Sequence, residues 1–321
     1  MSRVLVTGAT GFVGHTLCAI LARSGYVVRA ALRSHRSVPA GISEKVVIGD
    51  ITRSTDWRAA LRGVDEVFHV AARAHVLNDS KVSSDLYLET NAYGTDCFAR
   101  ASAQAGIRRF VYLSTVKVNG EDAAGGSYSA GDAPQPRDCY GVSKWLAEKN
   151  LMEIASRTGM EGVIVRSPIV YGPRVGANFL RLLHLVDREI PLPLGAVENR
   201  RSLVNIWNLC DLLVRVLEHP LAPGRTWMVS DGEDLSTLDL IRRLAAAMQR
   251  RVRIFPVPVG LLRLYGALTG RRAEISRLCN SLTVNITQTS TALGWSPPVP
   301  VNEGLARTVD WYLAHVKSRG A

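Results

Sequence analysis

The amino-acid sequence predicts an α/β protein with a doubly wound parallel sheet and a smaller mixed α/β portion after it. Short β-branched runs alternate with helical patterns through the first half of the chain, which is typical of repeated βα units. A glycine-rich turn joins the first run to the first helix, and the rhythm changes after Pro173. With 321 residues, 47% of them hydrophobic, the chain is long enough to bury the core of such a fold.

The first strand, at residues 3–7, leads through the glycine-rich turn into an amphipathic helix. Glycines let a backbone approach a pyrophosphate closely, and the free amides at a helix start attract its charge. Because the turn lies between a strand and a helix, it predicts a dinucleotide site rather than a plain tight turn. Its candidate cofactor-binding residues are Gly8, Thr10, Gly11, Phe12, Val13 and Gly14.

The second strand is expected at residues 26–32, and the residue after it indicates which cofactor binds. A fold that binds NAD places an acid about 20 residues past the glycines, for the ribose 2′-hydroxyl. Here that place holds Arg33, followed by Ser34, His35 and Arg36. This favours a 2′-phosphate and therefore NADP(H), with NAD(H) still open, and the alternative is an exposed basic loop.

The third and fourth strands, at residues 46–51 and 67–72, end in further candidate cofactor contacts. Asp50 can hydrogen-bond an adenine amino group, with Ile51 beside it. Ala71 and Ala72 are small residues at the carboxyl end of the fourth strand, where a cofactor would lie close. Helical patterns at residues 57–61 and 91–105 fill the gaps, which gives a Rossmann arrangement.

The candidate catalytic residues follow the fifth strand, at residues 110–115, which ends in Ser114 and Thr115. A loop or lid is expected at residues 120–138, before a helix that carries Tyr140 and Lys144. Residues four apart share one helix face, and a nearby cation lowers the pKa of a tyrosine, which suits proton transfer. The alternative is a tyrosine that packs beside a surface lysine.

A sixth strand at residues 163–166 and a turn at 168–173 complete the first half. Beyond them, strands are expected at 200–205 and 226–229, and helices at 179–186, 238–248 and 305–316. Another helix is expected through Leu209, Leu212, Leu213 and Leu217. We therefore predict a cofactor-binding domain at residues 1–172 and a mostly substrate-binding portion at 173–321, with segments near 200–225 rejoining the first domain. The apolar stretch 257–268 is too short to span a bilayer and is expected to be a core helix or an interface patch.

Charge and composition limit the partners. The net charge is +11, but the arginines are dispersed and no nucleic-acid motif accompanies them, so nucleic acid is excluded. A solvated basic surface, a polyanionic small substrate and contact with acidic lipids stay open. Without an apolar run of 18 residues or a cleavable signal, a cytoplasmic location is expected. No disulfide or metal site is indicated by the cysteines and histidines that we weighed, which are Cys18, Cys97, Cys139, Cys210, Cys279, His15, His69, His75 and His184.

Taken in order, these motifs resemble the extended short-chain dehydrogenase/reductase family over essentially the whole chain. The residues that carry the resemblance are Gly8, Gly11, Gly14, Asp50, Asn91, Ser114, Thr115, Tyr140 and Lys144, with segments 166–173, 201–206 and 293–297. The resemblance implies that Tyr140 is the acid or base at a sugar oxygen, that Thr115 binds the same oxygen, and that Lys144 also holds the nicotinamide ribose. Asn91 would support the catalytic helix.

The resemblance also assigns residues to cofactor and substrate. Ser167 and Ile169 would lie beside the nicotinamide, while Ser114, Thr115 and Asn178 would contact the substrate. Arg201 and Arg277 would take the diphosphate of a UDP-sugar, although a helix-surface arginine explains Arg277 equally well. A homodimer is implied as well.

Departures from the family pattern indicate which of the family's reactions to expect. Dehydratases carry Asp-Glu directly after the catalytic threonine, and this chain has Val116 and Lys117, so dehydration is not expected. Arg33 favours a reductase that uses NADPH. Asn205 and Asn208 stand where epimerases usually show His and Asp, and the segment that contains them resembles UDP-4-keto-6-deoxy-N-acetylhexosamine 4-reductases of O-antigen synthesis. These reductases make UDP-N-acetylquinovosamine. A UDP-hexose or UDP-N-acetylhexosamine 4-epimerase is the alternative. A non-catalytic NADP(H) sensor fits less well, because the catalytic residues are present.

Overall fold

The protein is described here by a computed structural model covering residues 1–35, 38–74, 84–123 and 126–316. Seven parallel strands form the main sheet, in the order β3-β2-β1-β4-β5-β6-β9. The predicted doubly wound α/β fold is confirmed. The strands of this sheet are β1 Arg3–Thr7, β2 Val27–Leu32, β3 Glu44–Val47, β4 Glu66–His69, β5 Arg109–Thr115, β6 Glu161–Ser167 and β9 Arg225–Met228.

Helices cover both faces of the main sheet because its strands alternate between two apolar cores. Val4 and Val6 face the core formed with α1 (Phe12–Arg23) and α7 (Ile206–Glu218), whereas Leu5 faces the core formed with α4 (Gly94–Gln104) and α5 (Cys139–Thr158). A π-helical turn, Leu88–Tyr93, precedes α4, and a 3₁₀ turn, Val116–Val118, follows β5. The helices on this sheet are α1 Phe12–Arg23, α2 Arg58–Leu61, α3 Ser84–Tyr87, α4 Gly94–Gln104, α5 Cys139–Thr158 and α7 Ile206–Glu218.

A second sheet of three strands, in the order β10-β8-β7, lies in the smaller portion. Its strands are β7 Ile169–Tyr171, β8 Arg201–Asn205 and β10 Asp234–Leu235. The turn predicted at 168–173 is therefore wrong, because residues 169–171 pair in parallel with β8. The remaining helices are α6 Ala177–Asp187, α8 Thr237–Met248, α9 Val259–Leu268, α10 Arg272–Cys279, α11 Thr287–Leu293 and α12 Val301–His315.

The chain crosses between the two sheets more than once. After β8, α7 packs against α1 and β9 pairs with β6, so both lie on the main sheet. The division at residue 172, with a later return, stays a prediction. In the described ranges, no helix combines the length and apolarity needed to cross a bilayer.

The carboxyl ends of β1, β4, β5 and β6 meet at one edge of the main sheet, which is where ligands bind in such folds. Two predicted strands differ at this edge. The third strand covers Glu44–Val47 rather than 46–51, because its partner β2 ends at Leu32. The fourth covers Glu66–His69 and leaves Ala71 and Ala72 in the connection beyond it.

Candidate functional site

The glycine-rich turn has the close packing that a dinucleotide site requires. Gly8 has φ +71°, and a Cβ there would lie 2.9 Å from the backbone of Ala71. A Cβ on Gly14 would overlap the carbonyl oxygen of Gly8, so the first turn of α1 lies directly against the loop. Gly11 precedes α1 as its N-cap without a side-chain cap. The helix start therefore offers backbone amides to an anion.

Arg33 and Asp50 meet beside this turn, after β2 and β3. Arg33 Nε lies 3.0 Å from Asp50 Oδ1, and both side chains are largely exposed. Ile51 packs closely on Gly94 at the start of α4. The Arg33 guanidinium and the Asp50 carboxylate therefore lie together, as expected for neighbouring groups predicted to contact the adenosine ribose and the adenine. Arg36, predicted to assist, lies outside the described residues.

Tyr140 lies in the first turn of α5, which Asp138 caps by accepting a hydrogen bond from Gly141 N at 2.7 Å. Burial, the charge of Asp138 and the neighbouring Tyr87 raise the pKa of Tyr140 above its ordinary value. Burial removes water from the Tyr140 side chain, which disfavours the phenolate, and the negative charge of Asp138 disfavours it further. Lys144 is not among the groups that shift this pKa, so the expected lowering is not found.

Lys144 is directed into the protein, one turn along α5. Its side chain is buried, Nζ donates to the carbonyl oxygen of Leu113 at 2.7 Å, and Nζ lies 4.0 Å from the centre of the Tyr112 ring. Burial lowers the pKa of Lys144 to about 7, against the opposing charge of Glu148. The ammonium is therefore held at the end of β5, beside the strand that carries Thr115.

Asn91 links the segment after β4 to α5, the helix that the family resemblance implies it supports. Its Oδ1 accepts from Arg73 N at 2.8 Å, and its Nδ2 donates to Arg73 O and to Ser143 Oγ, each at 3.0 Å. Ser143 Oγ in turn donates to the Tyr140 carbonyl at 2.8 Å. Asn91 lies in the π-helical turn, a geometry often found at functional sites.

Ser114 and Thr115 end β5 next to β6. Among the described residues, Ser114 Oγ is buried without a hydrogen-bond partner, although buried hydroxyls are nearly always paired. Thr115 is partly exposed, and its Oγ1 accepts from Lys117 N at 3.3 Å. Ser167 Oγ donates to Ser114 O at 3.3 Å, and Ile169 is exposed in β7. An oxygen of a bound ligand could accept the hydrogen bond that the Ser114 hydroxyl lacks.

Lys117 forms a cluster that the sequence did not predict. Its Nζ contacts Asp138 Oδ2 and donates to Glu121 Oε1 at 2.8 Å. Lys117, one of the two residues that stand where dehydratases carry Asp-Glu, therefore compensates the negative charge of Asp138, the N-cap of α5. The loop at 120–138 is anchored elsewhere, because Tyr128 N donates to Thr283 O at 2.8 Å.

The two predicted diphosphate ligands lie near each other in the smaller portion. Arg201 NH1 donates to the carbonyl oxygens of Arg277 and Asn280, at 2.8 and 3.0 Å. Burial and, to a smaller extent, the charge of Arg277 lower the pKa of Arg201. Asn178 is exposed in the first turn of α6. An anionic ligand would relieve the repulsion between the arginines.

Asn205 and Asn208 share the same two hydrogen-bond acceptors. Both side chains donate to Asp231 Oδ1, at 2.9 and 2.7 Å, and both donate to Val299 O. Asn205 also caps α7. His69 is buried too, with its ring nitrogens 2.7 Å from Thr7 Oγ1 and 2.9 Å from Thr95 Oγ1. His75 lies outside the described residues.

Comparison of this chain with known proteins identifies its family. The NAD dependent epimerase/dehydratase family matches residues 4–230. A UDP-glucose 4-epimerase of Vibrio cholerae is 42% identical over 314 residues, covering 97% of this chain and 95% of that protein. Two solved structures, each 25% identical, superpose on nearly the full length. UDP-glucuronic acid 4-epimerase from Bacillus cereus in complex with NAD gives a TM-score of 0.78 and covers 97% of this chain and 99% of its own.

The second structure is MoeE5 in complex with UDP-glucuronic acid and NAD, with a TM-score of 0.80, covering 98% of this chain and 100% of its own. The family match includes the glycine-rich turn, the Tyr140 helix and β9. The resemblance stated from the order of the motifs is thereby confirmed. This chain belongs to the NAD dependent epimerase/dehydratase family, within the extended short-chain dehydrogenases/reductases.

Proposed function

We propose that the protein is a 4-epimerase of a UDP-hexose or UDP-N-acetylhexosamine that keeps its NAD(H) bound through turnover. The observation that carries this proposal is the 42% identity to a UDP-glucose 4-epimerase over nearly the full length of both chains. The site is compatible with that chemistry, because Thr115, Tyr140 and Lys144 lie on elements that meet at one edge of the sheet.

The residues fit a dinucleotide. The start of α1, which has no side-chain cap, packs directly against the glycine-rich turn, and the buried Ser114 hydroxyl lacks a partner among the residues described. NAD, when bound, would supply a reversible acceptor for the hydride at C4. The protein supplies position, charge and the proton transfer.

Tyr140 is the group that would move the proton. Its phenolic oxygen would take the proton of the sugar 4-hydroxyl as the C4–H bond is oxidised, and would return it when the ketone is reduced. Because burial and Asp138 raise the pKa of Tyr140, the phenolate needs a positive charge nearby. An oxidised nicotinamide ring carries such a charge. Thr115 would hydrogen-bond the same sugar oxygen and fix its direction.

The uridine diphosphate would be held at a distance from the reacting carbon. Arg201 and Arg277 are the candidate diphosphate ligands, with Asn178 at the start of α6. Charge-assisted hydrogen bonds to phosphate are strong and geometrically specific. Binding through the diphosphate would leave the sugar free to present either face after oxidation, as epimerisation at C4 requires.

Dehydration is disfavoured by the residues after Thr115. Val116 is buried, and Lys117 is engaged with Asp138 and Glu121. Neither residue can act as the acid-base pair that removes water from C5 and C6.

A 4-ketoreductase that uses NADPH is the second candidate, favoured by Arg33. Its exposed guanidinium follows β2, where a 2′-phosphate would lie. Asp50, which pairs with Arg33, is also placed to accept from a ribose hydroxyl or an adenine amine, so the pair is compatible with both cofactors. The product in this case would be UDP-N-acetylquinovosamine or its C4 epimer.

The decisive experiment combines nucleotide analysis with two activity assays. Denatured protein is expected to release NAD(H), and UDP-glucose and UDP-galactose, or their N-acetylated forms, are expected to interconvert without added cofactor. Tyr140→Phe should abolish turnover, while Tyr26→Phe, a hydroxyl at the opposite end of the sheet that donates to Glu218, should not. Steady consumption of NADPH with a UDP-4-keto sugar and no interconversion would instead establish the reductase.

A further inference from the structure

Helix α9 presents an apolar stripe to solvent. Leu261, Leu264, Tyr265 and Leu268 are exposed by 57, 55, 52 and 78%, and their spacing of three, four and seven residues places them on one side of the helix. The helix is held to the protein by a different side. Leu262 and Gly266 are its buried residues, and Gly266 packs closely on Ile275 of α10.

Arginines flank this helix along the chain. Between Asp239 and Glu274 the sequence contains no Asp or Glu, and its arginines there are Arg242, Arg243, Arg250, Arg251, Arg253, Arg263, Arg271 and Arg272. Arg243 and Arg250 pair with acidic residues elsewhere. Arg251 and Arg253 precede the helix, Arg271 and Arg272 follow it, and all four are exposed.

A groove of about 470 Å³ adjoins the carboxyl-terminal end of α9. Arg181, Arg188 and Arg271 line it with a single acid, Glu274, which lies 3.8 Å from Arg181. Ile190, itself exposed, completes one wall. The groove therefore combines excess positive charge with apolar surface, and it shares Arg271 with the arginines that follow α9.

We propose that α9 and the adjoining arginines dock the protein on an anionic membrane surface. Exposed leucines and a tyrosine would enter the boundary between headgroups and acyl chains, while the arginines would contact lipid phosphates. A second copy of this chain fits less well, because a symmetric contact would bring the two arginine clusters against each other. This inference does not depend on the activity proposed above.

Vesicle flotation with the full chain tests the proposal. At 0.15 M salt, binding is expected to vesicles containing phosphatidylglycerol and not to vesicles of phosphatidylcholine alone. Leu264→Glu with Leu268→Glu should weaken binding by about tenfold or more, from the loss of apolar insertion. Leu221→Glu, an equally exposed leucine between α7 and β9, is the matched control and should bind normally.

The charge contribution has its own pair of variants. Arg271→Gln and Arg272→Gln should each weaken binding by about fivefold, and Arg62→Gln, exposed after α2, should not. Thermal melting checks that each variant is folded. Absence of binding, equal binding to both vesicle types, or equal loss in the controls would overturn the proposal. So would light scattering that shows a dimer disrupted by the leucine variants, which would assign the stripe to a second copy.

Discussion

Lys144 makes stability depend on pH in a way that can be measured apart from catalysis. The side chain is 1% exposed, and burial lowers its pKa from 10.5 to about 7. A lysine whose pKa is lower in the folded state binds fewer protons there than in the unfolded chain. Its burial therefore opposes folding fully below pH 7, and this penalty disappears as the pH rises towards 10.5.

The magnitude follows from the pKa difference. Between pH 7 and pH 9 the unfolded lysine stays protonated while the folded one loses its proton, so the free energy of unfolding should rise by about 2 kcal/mol from this group. Replacing Lys144 with methionine removes that contribution. The difference in unfolding free energy between Lys144→Met and the wild type should thus shrink by about 2 kcal/mol over this range, with the variant relatively more stable at the lower pH.

Urea denaturation at pH 7, 8 and 9 measures this difference, because other titrating groups are common to both proteins. Lys149→Met provides the matched control, since it is the same substitution on an exposed position of the same helix. A difference between Lys144→Met and the wild type that stays constant from pH 7 to pH 9 would refute the reasoning. It would mean that the ammonium is charged in the folded protein throughout this range.

Three further predictions concern the frame of the site. Gly14→Ala should abolish retention of the dinucleotide, measured by nucleotide release, because its Cβ would overlap Gly8; unchanged retention would contradict the assigned turn. Glu148→Ala should destabilise the protein by about 3–5 kcal/mol in urea, because it leaves the buried charge of Arg166 without a carboxylate, with only the Asn119 hydrogen bond remaining; a loss below about 1 kcal/mol would show that the ion pair is dispensable. Lys117→Met should move the acid-side limb of the turnover profile, where turnover rises as Tyr140 ionises, to higher pH, because an uncompensated Asp138 carboxylate then opposes the phenolate; an unmoved limb would limit Lys117 to a structural role.

The main sheet, and the edge where the carboxyl ends of its strands meet, could be predicted from the sequence because both follow from local patterns. A β-branched run, a glycine turn and an apolar helix identify β1 and α1, and parallel strands bring their carboxyl ends together without further information. The sequence does not reveal β7, because only residues 169–171 pair and the flanking Pro168 and Gly172 are typical of turns. β3 begins at Glu44, in an edge strand whose polar residues hide it.

Contacts between residues far apart in the sequence could not be predicted. The cluster of Lys117 with Asp138 depends on how the 120–138 loop folds back, and no periodicity encodes that path. Asn205 and Asn208 were interpreted as markers of activity, whereas the structure shows them bound to Asp231. Their spacing is that of a helix cap, in which Asn205 Oδ1 accepts from Asn208 N, and this signal was present in the sequence.

The π-helical turn at Leu88–Tyr93 sets the angular position of Asn91. Successive residues of an α-helix are separated by about 100°, and a π-helical turn accommodates an additional residue without moving the helix beyond it. Deleting one residue upstream in this turn would restore regular winding and rotate Asn91 by about 100°, away from Arg73 and Ser143. The length of this single turn, more than its composition, therefore sets which side chain meets the Arg73 backbone and Ser143 of α5.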